Sequence, residues 1–219
     1  PVTIAQTGGV SSSTTDRIEV TSAANITLNG VNIDVSGSSN TAAFKITSTA
    51  GAVNITLADG SVNTLKSGNN CAGLQKDTTT AGTMLTISGT GTLNATGGYG
   101  NSTAATGDVG AAGIGGGMGG NGSNITISGG TVTATGCGGA AGIGGGYKGL
   151  VDPNPGNGSD ITISGGTVTA KGGYDGAGIG GGLEGNGSNI IISGGTVKAT
   201  RGSSNAANIG GGFGGSGSY

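Results

Sequence analysis

Side chains able to do acid–base, metal or nucleophilic chemistry are few in this chain and far apart. Ten carboxylates run from Asp16 to Glu184 across 219 residues, there is no histidine, and the only arginines are Arg17 and Arg201. Lyase chemistry on a polysaccharide needs an Arg or Lys base beside acidic calcium ligands, and hydrolysis needs two or three Asp held together. The acids here fall at different phases of a repeat, so no catalytic residue is assigned and the chain is read as a non-enzyme. The densest local group is Asp152, Asp160, Asp175 and Glu184. Oxygen-rich loops suit Ca²⁺, so these four are the candidate metal ligands and calcium the candidate cofactor, set against the plainer reading of scattered solubilising charge. The candidate ligand-binding side chains are aromatic. Tyr99 and Tyr174 each follow a Gly-Gly pair, and Tyr147 and Phe213 each follow a glycine run. A ring presented on a flat, glycine-rich surface can stack on the face of a sugar. Met118, Tyr147, Leu183 and Phe213 form a column that points either into the core or outward as an apolar strip. Cys71 and Cys137 fall two repeats apart, about 10 Å in a stack of parallel strands, which is beyond disulfide reach and leaves two free thiols.

The elements that must position these residues are repeats. The phrase SNITISGGTVTAT begins at Ser123, with close copies at Ser159 and Ser188, and GIGGG begins at Gly113, Gly142 and Gly178, with NIGGG at Asn208. Aligned on Ile26, Ile55, Leu85, Ile125, Ile161 and Ile190, the spacings are 29, 30, 40, 36 and 29 residues. The unit is thus 29–30 residues, with loop insertions near 99–110 and 150–156. Ile125 and Ile127 alternate with Thr126 and Ser128, and Val132 and Ala134 alternate with threonines, the period-two signature of a strand with one buried face. Short strands that keep identical residues in identical places are satisfied by stacking coils in parallel. The predicted fold is an all-β parallel β-helix with three short strands per coil, right-handed by the crossover rule, as one domain over residues 1–219. Gly129-Gly130, Gly165-Gly166 and Gly194-Gly195 mark one recurring corner. The Asx residues Asn25, Asn54, Asn124, Asp160 and Asn189 are expected to bond local backbone before the middle strand. Residues 1–20 supply partial early coils, with loop from 5 to 15, and the last residues stop mid-coil, as in a segment cut from a longer protein or covered by another chain.

Charged residues are 8% of the chain and the net charge is −2. That excludes a basic footprint for nucleic acid and a polybasic patch for lipid. No apolar run approaches the ~18 residues of a membrane span, and the start has no signal-peptide pattern, so no membrane insertion is expected. A surface of Thr, Ser, Asn and Gly with few charges suits a secreted or cell-surface bacterial module.

The run NITLADGSVNTLKSGNNCAGLQ from Asn54, followed by LTISGTGTLNATGG, resembles repeats of Firmicutes carbohydrate-binding surface proteins with a polysaccharide-lyase-like β-helix. The ITISGGTVTATGG and GAGIGGG repeats are similar to those of large secreted proteins from the same bacteria. The resemblance covers the chain from about Ile18 onward and rests on ladder and turn positions. It implies an extracellular, non-catalytic module that binds polysaccharide or a surface glycan, in some relatives with calcium, and maps no calcium ligand onto a particular residue here. The leading expectation is therefore carbohydrate binding or adhesion. The alternatives are a structural stalk or filament subunit assembling through open solenoid ends, a lyase-type enzyme, and an ice-binding face built on Thr131/Thr133 and Thr167/Thr169, whose pattern Asn94 and Lys198 interrupt.

Overall fold

A computed structural model describes residues 1–6, 13–76, 83–100, 109–149, 155–203 and 205–218. The chain winds through three sheets in turn. The first stacks Val2–Ala5, Ala24–Asn29, Ala52–Leu57, Met84–Gly89, Gly122–Ile127, Gly158–Ile163, Gly187–Ile192 and Gly217–Ser218. The second stacks Asn32–Asp34, Val62–Lys66, Thr92–Thr96, Thr131–Thr135, Thr167–Lys171 and Thr196–Thr200. The third stacks Ile18–Val20, Phe44–Ile46, Leu74–Lys76, Ile114–Gly115, Ile143–Gly144, Ile179–Gly180 and Ile209–Gly210. Every strand pairs in parallel with its counterpart one coil away, which makes the architecture a three-strand-per-coil parallel β-helix. Alternation places Ile125, Ile127, Val132, Ala134 and Ile143, with their equivalents on neighbouring rungs, in one continuous buried cluster. Of the expected insertions, 101–108 and 150–154 lie outside the described residues.

One register differs from the sequence alignment. Ile26 pairs with Ile55 as expected, but Ile55 pairs with Ile87 and Val53 with Leu85. The Asn-Ile-Thr of Asn25 and Asn54 therefore faces Thr86 and Thr126, not Asn124. A shift of two residues keeps the apolar side chains inward, so periodicity cannot detect it. The shift is taken up at the next corner, where Gly89 reaches Thr92 over a shorter turn than joins Leu57 to Val62, and the second sheet aligns Val62 with Thr92. The same alignment carries Asn63 into the core beside Leu93. Fully buried, it accepts from the Val31 N–H at 3.0 Å and donates to the Thr92 carbonyl at 3.1 Å and the Ser61 hydroxyl at 3.0 Å, so its polar atoms are satisfied.

The Asx residues fall into two kinds. Asn124, Asp160 and Asn189 adopt left-handed φ of 55°, 52° and 48° and are skipped by the ladder between Ser123/Ser159 and Ile125/Ile161, a bulge at the strand entrance. Asn25 and Asn54 are ordinary strand residues. In each kind one amide reaches across coils instead of bonding local backbone. Asn54 Nδ2 donates to Asn25 Oδ1 at 2.8 Å, and Asn189 Nδ2 donates to Asp160 Oδ1 at 2.6 Å. A second series runs through Asn121, Asn157, Asn186 and Ser216, each side-chain carbonyl accepting the backbone N–H one rung on at 2.7–2.8 Å.

The third face is a pinched arch. Ala112, Ala141, Ala177 and Ala207 each donate a backbone N–H to the carbonyl four residues ahead, at 2.9–3.1 Å, which throws the intervening isoleucine into the core. Beyond the arch the chain makes tight turns at Gly117–Gly120, Gly182–Gly185 and Gly212–Gly215, closed by bonds of 2.8–2.9 Å. The third turn residue has positive φ in all of them: Gly119 at 71°, Gly214 at 78° and Glu184 at 62°. A left-handed non-glycine residue costs about 1–2 kcal/mol, partly offset by glycine's larger entropy loss on folding. Glu184→Gly is expected to raise stability by about 0.5–1 kcal/mol, read as a higher urea midpoint. A lower midpoint would show that the carboxylate itself holds the turn.

Candidate functional site

Tyr99 and Tyr174 lie three residues past Thr96 and Lys171, which with Thr135 are successive partners at the end of the second sheet. The equivalent place on the intervening rung is Gly138, so the tyrosines are two rungs apart, about 10 Å, with a side-chain-free step between them. Both rings are solvent-exposed, at 62% and 64% of their surface. They border one groove with Thr135, Gly136, Cys137, Lys171 and Gly173, of about 430 Å³. Its floor is bare backbone for a steric reason. A Cβ on Gly136 would press on the Ala141 carbonyl, and one on Gly173 would press on the Gly138 carbonyl. Cys137 is half-buried at the floor, its thiol donating to the Gly97 carbonyl at 2.9 Å, and burial pushes its pKa up despite the opposing influence of Lys66. It is a neutral thiol, and neither it nor Cys71 is in a disulfide.

The other aromatic candidates are placed differently. Tyr147 is 2% exposed and offers no ring face to solvent, a correction to its assignment as a ligand-binding residue. It exchanges backbone hydrogen bonds with Gly110, at 2.9 Å and 3.0 Å, which ties the end of the first insertion to the segment leading into the second. Leu183 is likewise buried and Met118 half-buried, so the column turns inward on these rungs. Phe213, on the last rung of the third face, is 46% exposed but does not line the tyrosine groove.

The acids do not converge. Asp160 is in the bulge at the entrance to the first sheet, Asp175 follows Tyr174 beyond the second sheet, and Glu184 is in the turn after the third. Asp160 is engaged by Asn189, and Asp175 by the Ser203 hydroxyl. Asp152 lies outside the described residues. Among the described residues no three His, Cys, Asp or Glu side chains come close enough to hold a metal, so the four acids are not one ligand set. Adjacency in sequence misled here because a coil carries neighbouring segments to different corners.

All of the groove's lining except Tyr99 falls within stretches that match a known repeat. Residues 125–147, 161–183 and 190–213 match the family model described as a beta helix repeat, each match running from the first sheet to just past the third. The three stretches are similar to such repeats over about a third of the chain. No curated protein and no solved structure matches the sequence. The geometry thus defines a β-helix solenoid with a two-tyrosine groove on its flank.

Proposed function

We propose that this solenoid is a non-catalytic, secreted or cell-surface bacterial module that binds carbohydrate, and that the groove between Tyr99 and Tyr174 is its binding site. The observation that carries the reading is the pairing of two exposed rings around a bare glycine step. Sugar rings have apolar faces and hydroxyl edges, and the groove answers with aromatic faces, the Thr135 hydroxyl and the Lys171 ammonium. A glycan chain would lie along the solenoid axis, because the tyrosines repeat in that direction. Preformed backbone walls keep the ordering cost of binding low.

The test is a glycan array followed by titration of the hits. Tyr99→Ala and Tyr174→Ala are each expected to weaken binding about ten-fold, with stability changed by less than about 0.5 kcal/mol because both rings are exposed. Undiminished binding by the double variant would move the site elsewhere. A second reading, a rigid stalk, is favoured by the coil-to-coil asparagine series, which ties successive rungs together beyond the strand ladders. It predicts no glycan binding at all.

A further inference from the structure

The groove's charge bears on which glycans it takes, an inference that rests on the glycan-binding reading above. The outward row closing the second sheet is Lys66, Thr96, Thr135, Lys171 and Thr200, register neighbours on successive rungs. Its two cations are not equivalent. Lys66 is engaged by Asp34 at 3.3 Å, and that carboxyl is held below its usual range chiefly by the Ser36 hydroxyl, with Lys66 contributing. Lys171 is exposed, joins neither of the two ion pairs found among the described residues, and lines the groove beside Tyr174. Among the described residues no carboxylate lines the groove. The nearest along the chain, Asp175, has one oxygen taken by Ser203.

From this we infer that the groove selects an anionic glycan, with a sugar ring stacked on Tyr99 or Tyr174 and its carboxylate or sulfate on the Lys171 ammonium, the Thr135 hydroxyl adjoining. The attraction is local. The chain as a whole carries a net charge of −2 and would repel a polyanion that had no defined place to dock.

The deciding experiment titrates the full chain with three oligosaccharides: an oligouronate, its fully methyl-esterified form, and a sulfated neutral oligosaccharide. The expected result is tighter binding of the oligouronate than of the ester, weakened by added salt. Lys171→Gln should cut oligouronate affinity by up to about five-fold and leave the ester's affinity unchanged, while Tyr174→Ala weakens both. Preferential binding of the sulfated sugar with the same Lys171 dependence also supports the inference and assigns the anion to sulfate. Equal binding of acid and ester, indifferent to Lys171→Gln, overturns the charge inference and leaves the glycan-binding reading standing. Binding of none of the three overturns both.

Discussion

Gly144→Ala is expected to destabilise the solenoid by about 4 kcal/mol or more, enough to unravel the affected rungs. Two independent costs coincide there. Gly144 holds φ at 132°, as Gly115, Gly180 and Gly210 hold 129–132° on their rungs, far from the small left-handed well near +57° that an alanine tolerates. The added Cβ would also sit well inside van der Waals contact of the Gly180 carbonyl oxygen, which is backbone and cannot swing aside. That oxygen accepts the Gly145 N–H at 2.9 Å, so moving it also breaks a coil-to-coil bond. Gly37→Ala is the matched control. Its position has open space around it and an ordinary φ, and its effect should stay within about 0.5 kcal/mol. Urea denaturation followed by circular dichroism separates the two, and hydrogen exchange should show protection lost first around residues 141–146. Equal stabilities of the two variants would mean that the glycine spine is dispensable.

Ile161→Ala is expected to cost about 3–4 kcal/mol, near the middle of the range for emptying a buried isoleucine site. Ile161 is fully buried on a central rung, with Ile125 and Ile190 as its partners on either side, so neither neighbour can close the void without leaving its own register. Ile192 is a useful contrast. It follows Ile163 in the adjoining ladder but is 42% exposed on the last full rung of the first sheet, and its replacement by alanine should cost below about 1 kcal/mol. The ratio of the two effects reads how strongly a solenoid site depends on having a rung on both sides, since each coil contacts only its neighbours. Comparable losses at both positions would contradict that dependence.

Much of the fold was legible because it is written in period two. The alternation of Ile125, Ile127, Val132 and Ala134 with hydroxyl residues sets which side chains point inward, and the recurrence of the phrase sets which coils stack. The recurring Gly-Gly corner was also visible, although only its second member needs a left-handed backbone. Gly130, Gly166 and Gly195 hold φ of 81–82°, whereas Gly129, Gly165 and Gly194 have no such φ and are glycine because a carbonyl on the adjacent rung leaves no room for a Cβ, as is also true of Gly166 and Gly195. The two-residue offset at Ile87 was not legible, because side-chain direction is unchanged by any even shift and the repeated Asn-Ile-Thr offered a false alignment. Asn63 reaches the core by the alignment of its strand with Leu93, a pairing invisible in a stretch read singly.

By itself the sequence determined the stacking of short parallel strands, the interior ladders, the rung separation that keeps Cys71 from Cys137, and the set of aromatic residues worth suspecting. Only the tertiary structure decided among those residues. Tyr99 and Tyr174 share a place on rungs two apart, and the glycine between them leaves a notch. Tyr147, drawn from the same kind of glycine-flanked context, is buried, with its backbone bridged to Gly110. The physical reason is that a local pattern specifies which way a side chain leaves its own strand. Whether that direction meets solvent or another segment depends on what the neighbouring coils and their insertions place there.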